Sequence, residues 1–380
     1  MTEAEVLDGA ALAEIEGMLS TLSTIFTDAG YAPVQPAHLF PAEALLDLYG
    51  EDIRARAYLF PDPAHGGELC LRPDFTVPVA IAHGAEGWER PGKYCYRGPV
   101  FRQQEAGIDR PTEYVQAGIE DLGGADRAAA DARVFALIQR GLDALSAPPR
   151  RTTIGDLGIV LGLLDKLEMP ANRRRQLRRH IWRPARFHQL LDTYGRAQPA
   201  PSERRAALFT ALSDDRFDAL VARAGDVVGL RSLSSIRERA EALASTRDEA
   251  PMPASQIALI EAVLKLDCSA REAPQRLART IGTVVDLTAE IDEFSVRLAA
   301  LDEAGINLDD IRYEAAFGRN LEYYDGFVFE IVAKGAETLP PLAGGGRYDS
   351  ITARLGATAS HPAVGAMVRP ETVARARSWR

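Results

Sequence analysis

The chain has 380 residues, of which 46% are hydrophobic and 26% charged, and its formal net charge is −10. These values are typical of a globular protein with two domains, or with one large domain and an appendage. An acidic chain argues against nucleic-acid binding as the main function, so no nucleic-acid partner is expected.

The three cysteines lack CxxC spacing and indicate neither a metal site nor a disulfide framework. The amino-terminal residues show no signal-peptide pattern, and no apolar run reaches the length that spans a bilayer. These features predict a cytoplasmic protein without membrane contact.

The first part of the chain mixes helix and strand signals. Residues 11–29 have the apolar spacing of a helix that ends at Gly30, and a short helix is predicted around Glu43–Leu48. Aromatic and β-branched residues then predict strands. The predicted strands are Ala57–Phe60, Glu68–Arg72, Gly92–Phe101 and Tyr114–Asp121, and a helix follows at Asp131–Ala144.

Residues 160–276 are rich in Ala, Arg and Leu and have few strand formers, which predicts a helical insertion. Its basic stretch Arg173–Arg179 is interpreted as a solvated helix face or a contact for an acidic partner. Strand signals return at Ile311–Phe317 and Gly326–Val332, and a loop is predicted at Ala343–Asp349. The pattern indicates an α+β fold whose core, residues 1–155 and 280–370, is interrupted by the insertion.

Polar residues concentrate in five short segments: Leu71–Thr76, Phe101–Glu105, Gln116–Glu120, Gly318–Asp325 and Ala343–Asp349. A free amino acid needs a carboxylate for its ammonium group and a guanidinium for its carboxylate. An imidazole side chain also needs acid, hydroxyl or amide partners. The segments contain these groups in Asp74, Thr76, Arg102, Gln116, Glu120, Arg319 and Tyr324.

Taken in order, the segments LRPDFT, VFRQQE with VQAGIEDLG, RNLEYYDGFVFEI and AGGGRYD resemble the core of a class II aminoacyl-tRNA synthetase. The third segment is similar to the histidine motif of histidyl-tRNA synthetase in particular. The resemblance covers residues 1–150 and 310–367. It implies a class II synthetase-like antiparallel sheet flanked by helices.

The resemblance also implies a histidine site. Asp74, Thr76 and Gln116 would hold the α-amino group, and Arg102 would hold the α-carboxylate, with Arg319 nearby. Glu120 and Tyr324 would contact the imidazole nitrogens. Tyr323 and Gly344–Gly346 would form the wall. No catalytic residue, metal or cofactor is implied.

Departures from the synthetase pattern affect its nucleotide and tRNA functions. Thr372 stands where the last conserved segment has an arginine, Pro370 is expected to break a helix that starts at Val368, and Gln104 replaces a glutamate. Residues 371–380 are expected to be a tail, with no anticodon-binding domain.

This combination resembles the regulatory subunits of ATP phosphoribosyltransferase. That family implies a non-catalytic protein that activates a short catalytic subunit and mediates feedback inhibition by free L-histidine. It also implies a homodimer or tetramer that joins the catalytic subunit in a hetero-octamer.

Two other functions remain open at this point. A truncated synthetase-like enzyme that activates histidine as an adenylate is favoured by Arg102, Arg110 and Arg319 and opposed by Thr372 and Pro370. A tRNA-binding or stress-sensing pseudo-synthetase is opposed by the acidic composition. The sequence also leaves open whether histidine binds in the synthetase-like pocket or at a subunit interface.

Overall fold

The computed structural model describes residues 8–42, 55–104, 111–197, 202–224, 233–245, 249–318 and 323–379. The chain divides into two compact units: Met1–Gly162 with Ala262–Arg380, and Leu163–Glu261. The second unit is shorter than the predicted insertion of residues 160–276, because residues 262–276 belong to the first unit. The helix predicted around Glu43–Leu48 lies outside the described residues.

All strands in the described residues belong to the first unit. In chain order they are β1 (Ala32–Pro33), β2 (Leu39–Pro41), β3 (Leu59–Pro61), β4 (Glu68–Leu71), β5 (Gly92–Phe101), β6 (Glu113–Leu122), β7 (Arg150–Asp156), β8 (Asp267–Ser269), β9 (Ile311–Glu314), β10 (Phe327–Ala333), β11 (Ala343–Arg347) and β12 (Ala363–Val368). The main sheet has the order β1-β5-β6-β12-β11-β10-β7-β9-β8. Its neighbouring strands are antiparallel, except that β1–β5 and β7–β9 are parallel. A small antiparallel sheet has the order β2-β4-β3.

Helices flank the main sheet and form the second unit. In chain order they are α1 (Gly9–Asp28), α2 (Thr76–Glu86), α3 (Arg127–Ala144), α4 (Leu157–Lys166), α5 (Ala171–His180), α6 (Pro184–Tyr194), α7 (Glu203–Ser213), α8 (Phe217–Ala224), α9 (Leu233–Ser245), α10 (Ala254–Leu264), α11 (Ala273–Ile281), α12 (Thr288–Glu303), α13 (Ser350–Arg354) and α14 (Pro370–Arg377). Helices α3 and α12 pack together, and α3 contacts β12. Within the described residues, no helix combines the length and hydrophobicity needed to cross a bilayer.

Helix α1 shows how local sequence sets an element. The Asp8 side chain accepts hydrogen bonds from the Ala10 and Ala11 N–H groups at 3.0 and 2.8 Å, which caps the first turn. Apolar residues at helical spacing bury one face. They are Ile15, Met18, Leu19, Leu22, Ile25 and Phe26. Gly30 follows the helix with a φ of 86°, a conformation that glycine adopts without strain.

One sequence-based expectation near the C-terminus is wrong. The segment Ala343–Asp349 was predicted as a loop, but its first five residues form β11 inside the main sheet. A Cβ on Gly345 would lie 2.3 Å from the Gly365 carbonyl oxygen, so close strand packing requires this glycine. Val368 ends β12, so no helix starts there; Pro370 begins α14, where its missing N–H costs nothing and its φ is already helical.

The basic stretch of α5 is largely used inside the second unit. Arg173 is buried and donates to the Ala250 carbonyl at 2.7 Å, and Arg174 donates to the Leu164 and Leu167 carbonyls at 3.0 and 2.9 Å. Arg178 forms an ion pair with Asp165. The interpretation as a solvated helix face is therefore wrong for Arg173 and Arg174, whereas Arg178 is 41% exposed and agrees with it.

Candidate functional site

Glu120 lies at the centre of a buried group of hydroxyl side chains. It belongs to β6 and is fully shielded from solvent. The Thr76 hydroxyl donates to Glu120 Oε1 at 2.8 Å, the Tyr96 hydroxyl donates to the same oxygen at 3.1 Å, and the Tyr348 hydroxyl donates to Oε2. We call these four residues the Glu120 cluster. It joins α2, β5, β6 and the segment after β11 at one carboxyl group.

Burial controls the charge of the Glu120 cluster. It raises the pKa of the Glu120 carboxyl to about 8, because a carboxylate loses its hydration there. The Tyr348, Thr76 and Tyr96 hydroxyls oppose this shift, and the negative charge of Asp74 adds to it. Burial also raises the pKa of the Tyr96 and Tyr348 hydroxyls well above their ordinary value. At neutral pH the tyrosine hydroxyls therefore keep their protons, and burial favours the protonated form of the Glu120 carboxyl.

Glycines on the neighbouring strands leave the room that this cluster occupies. Gly365 of β12 pairs with Glu120, and a Cβ on Gly365 would lie 1.5 Å from Glu120 Oε2. Gly118 of β6 pairs with Tyr96, and its Cβ would lie 2.5 Å from the Tyr96 hydroxyl oxygen. The Glu120 side chain thus lies over Gly365 of the neighbouring strand β12, and the Tyr96 side chain lies over Gly118 of the neighbouring strand β6. Packing, rather than an unusual φ, requires glycine at these two positions.

Asp74 and Arg102 form the charged end of the site. Asp74 is buried just before α2, and the Tyr323 hydroxyl donates to its Oδ2 at 3.3 Å. Arg102 Nη2 lies 3.9 Å from the same oxygen, and Arg102 Nε donates to the Pro73 carbonyl at 2.7 Å. A carboxylate beside a guanidinium has the charges that complement the ammonium and carboxylate groups of a free amino acid.

Three tyrosine rings form a wall beside these groups. The Tyr323 and Tyr324 ring centroids are 4.7 Å apart, and both rings meet Tyr348 edge-on, at 5.8 and 6.5 Å. A Cβ on Gly346 would lie 2.9 Å from Tyr324 Cδ1, so this glycine leaves space for the Tyr324 ring. Edge-to-face packing of this kind fixes the orientation of each ring.

The structure places most of the predicted site residues in one continuous group. Thr76 bonds to Glu120, whereas Arg102 and Tyr323 both lie against Asp74. Gln116 is buried on β6, four residues before Glu120 and thus on the same side of the strand. Thr76, which is expected beside an α-amino group, donates its hydroxyl to Glu120. Arg319 lies outside the described residues.

Sequence reasoning missed Tyr96 and Tyr348 as members of the site. Tyr348 lies inside the AGGGRYD segment, which had been singled out for its glycines. Tyr96 lies in β5, a strand that was predicted correctly, but its contact with Glu120 depends on the register between β5 and β6. Non-local pairing of this kind cannot be read from one strand alone.

Buried ion pairs hold the chain on both sides of Tyr348. Arg347 donates to Asp131 of α3 at 2.7 Å and to Asp349 at 2.8 Å. Asp131 also accepts from Arg297 of α12 at 2.6 Å. These side chains are almost fully buried, so the loss of Asp131 would remove a carboxylate that offsets two buried guanidinium charges. The position of Tyr348 is therefore tied to the helices that flank the sheet.

The residues at the expected nucleotide side have other roles. Arg369 donates to the Pro341 carbonyl at 2.7 Å, and its guanidinium lies 5.7 Å from the centre of the Tyr114 ring. Thr372 is buried in α14, two residues after Pro370 begins that helix. Arg369 is thus held by internal contacts and does not replace the arginine that a synthetase has at position 372.

The Gln104 side chain also forms hydrogen bonds within the protein. Its amide nitrogen donates to the Pro111 carbonyl at 2.9 Å, and its amide oxygen accepts from Arg56 at 3.0 Å. Arg110 and Glu105 lie outside the described residues. In the described part of the chain, no group of three His, Cys, Asp or Glu side chains has an arrangement that could hold a metal ion.

Comparison with known proteins identifies similar sequences. The model of the histidyl-tRNA synthetase family matches residues 4–260 and 230–373. The chain is 36% identical to the ATP phosphoribosyltransferase regulatory subunit of Agrobacterium fabrum over 340 residues, which are 86% of this chain and 87% of that protein. It is 38% identical to the protein of the same name from Brucella anthropi over 343 residues, 86% of this chain and 88% of that protein.

Solved structures share the fold. A crystal structure of an ATP phosphoribosyltransferase regulatory subunit/histidyl-tRNA synthetase from Bacillus halodurans has a TM-score of 0.68 at 20% identity, covering 98% of this chain and 81% of that one. A histidyl-tRNA synthetase from Nostoc has a TM-score of 0.62 at 17% identity, covering 98% of this chain and 73% of that one. The predicted class II synthetase-like fold is confirmed. With the sequence relatives, these findings show that the chain belongs to the family of ATP phosphoribosyltransferase regulatory subunits.

Proposed function

We propose that this chain is the non-catalytic regulatory subunit of an ATP phosphoribosyltransferase, the first enzyme of histidine biosynthesis. Its partner is the short-form catalytic subunit, which it activates within a hetero-octamer built on a homodimer or tetramer of this chain. Membership of the regulatory-subunit family supports this assignment.

We further propose that free L-histidine binds between Asp74, Arg102 and the Glu120 cluster. The observation that carries this siting is the short distance in sequence between two groups at the start of α2. Asp74 belongs to the charged pair with Arg102, and Thr76, two residues later, bonds to the buried Glu120. Asp74 and Arg102 complement the ammonium and carboxylate groups of the ligand. The hydroxyls and carboxyl around Glu120 suit the two nitrogens of an imidazole, one of which donates and the other accepts.

The nucleotide side favours regulation over catalysis. Formation of an adenylate requires positive groups that stabilise charge at the reacting phosphate. Arg369 is held by Pro341 and Tyr114, and position 372 has a buried threonine. A retained amino-acid site beside these substitutions supports a sensor of histidine rather than an enzyme that activates it.

Feedback inhibition follows if histidine binds a less active state of the complex more tightly than the active state. A shift of about 100-fold in that equilibrium needs about 2.7 kcal/mol of differential binding, which a few charge-assisted hydrogen bonds can provide. Because Tyr348 is tied to α3 and α12 through Arg347 and Asp131, a ligand that moves Tyr348 acts on the flanking helices as well.

The test uses the reconstituted complex with Glu120→Ala or Tyr324→Phe. Both variants should still activate the catalytic partner, while the histidine concentration for half-inhibition should rise at least tenfold. Tyr94→Phe is the matched control, because the Tyr94 hydroxyl lies on β5 but bonds to His83 outside the cluster. Unchanged inhibition in both site variants would mean that histidine binds elsewhere, for example at an interface between subunits.

A further inference from the structure

The hydrogen-bond partners of Glu120 are unusual for a buried acid. All three are hydroxyls, and within the described residues no guanidinium, ammonium, imidazole or backbone N–H bonds to its carboxyl group. A hydroxyl can rotate to donate or to accept. The cluster therefore satisfies a protonated carboxyl as well as an ionised one, which fixed N–H donors would not do.

An ionised carboxylate at this position would be costly. Glu120 is fully buried, and an isolated charge in a protein interior costs several kcal/mol unless it is paired. The negative charge of Asp74 acts on Glu120 and has the same sign as its carboxylate, which raises the Glu120 pKa further. The hydroxyl donors offset only part of this cost. In the ligand-free protein, a proton on the Glu120 carboxyl removes the unpaired charge.

The groups that face Glu120 from each neighbouring element can be named. Strand β5 presents Tyr96 and also Tyr94, which pairs with Glu120 in the sheet and bonds to His83 through its hydroxyl. The segment after β11 presents Tyr348, and the residues before and at the start of α2 present Asp74 and Thr76. Strand β12 presents Gly365, which has no side chain. The pKa of the Tyr96 and Tyr348 hydroxyls is well above its ordinary value, so neither of these two loses its proton near neutral pH.

We propose, resting on the histidine site proposed above, that Glu120 holds a proton in the empty site and that histidine binds as the neutral imidazole and shares this proton. The proton lies on a Glu120 oxygen before binding and between that oxygen and an imidazole nitrogen afterwards. If it transfers fully, the O–H bond of Glu120 breaks and an N–H bond of the imidazole forms. No proton is taken from solvent in either case.

This arrangement gives the site a reason to prefer histidine among basic amino acids. Free imidazole has a pKa near neutrality and arrives mostly without its second proton. Lysine and arginine side chains bring a fixed positive charge. A lysine or arginine side chain bound beside Glu120 would force the Glu120 proton into solvent. Neither side chain could return a proton to Glu120 when the ligand dissociates.

Proton uptake on histidine binding tests the inference. Calorimetric titrations in buffers of different ionisation heat, at pH 7 and pH 9, compare the wild type with Glu120→Gln, which mimics the protonated acid. The proton on the α-amino group contributes equally to both proteins. With the Glu120 pKa at about 8, wild type and variant should differ little at pH 7, whereas at pH 9 the wild type should take up nearly one proton more. The wild-type Kd should rise about tenfold more than that of the variant between these pH values.

A second measurement does not depend on ligand binding by the variant. The infrared spectrum of the empty wild type at pH 7 should contain a carboxylic-acid C=O band that Glu120→Gln lacks. Absence of this band, or uptake of a full proton by the wild type at pH 7, would overturn the inference and leave the histidine site intact. Failure of the wild type to bind histidine would overturn the histidine site, and this inference with it.

Discussion

Substitution of Gly365 by alanine should remove histidine sensing by displacing Glu120. A Cβ at this position would lie 1.5 Å from Glu120 Oε2, whereas ordinary contact begins at 3.4 Å. The carboxyl must therefore move by about 2 Å, which is more than its hydrogen bonds can tolerate. The Thr76 and Tyr96 bonds, now 2.8 and 3.1 Å long, would be lost together with that from Tyr348.

The expected cost follows from these three bonds. Each contributes about 1 kcal/mol net, so the free energy of unfolding should fall by about 3 kcal/mol. Histidine affinity should fall by more than tenfold, because about 1.4 kcal/mol of lost binding energy is sufficient for that change. Gly365→Ala tests the packing at Glu120 without removal of any polar group.

Urea denaturation and calorimetric histidine titration measure the two effects. Gly17→Ala is the matched control, because a Cβ on Gly17 of α1 meets no atom within 4 Å. Alanine there should stabilise the helix by about 1 kcal/mol. The packing argument is refuted if Gly365→Ala retains both wild-type stability and wild-type histidine affinity.

Three more expectations concern other parts of the first unit. Asp131→Asn leaves Arg297 and Arg347 without their shared carboxylate, so urea denaturation should show a loss of about 3–5 kcal/mol; a change below about 0.5 kcal/mol would contradict this. Thr372→Arg should not create histidine-dependent ATP–pyrophosphate exchange, because position 372 is buried in α14; measurable exchange by this variant would contradict the inference that a side chain at this position cannot reach a bound nucleotide. Burial raises the Asp325 pKa to about 6 from 3.8, so its folded form holds a proton more tightly than the unfolded chain. Relative to Asp325→Asn, wild-type stability should therefore fall by up to ~3 kcal/mol as the pH rises from about 4 to above 6, and identical pH profiles in denaturation would refute the shift.

Local sequence signals were sufficient where one element could be read alone. Strand β5 has the predicted bounds Gly92–Phe101, and α1 differs from its prediction only at its ends. β11 was missed because glycine disfavours strands, and only the close approach of β12 explains why glycine is needed there. Pro370 is compatible with α14 because proline at the first helical position loses no hydrogen bond.

The sequence predicted which residues belong to the site but not the hydrogen bonds between them. The charged pair of Asp74 and Arg102 follows from the chemistry of an amino-acid ligand. The hydroxyls on Glu120 depend on the register between β5 and β6 and on the end of β11, where Tyr348 is 228 residues from Glu120 in sequence. The charge state of Glu120 depends on its burial, and burial is set by the whole fold.

The most direct measurement mixes the purified protein with a short-form ATP phosphoribosyltransferase catalytic subunit and follows turnover of ATP and phosphoribosyl pyrophosphate. A regulatory subunit should increase turnover, and added histidine should then suppress it. No effect on the catalytic subunit, together with histidine-dependent pyrophosphate exchange by this chain alone, would contradict the proposed function and identify the chain as an enzyme.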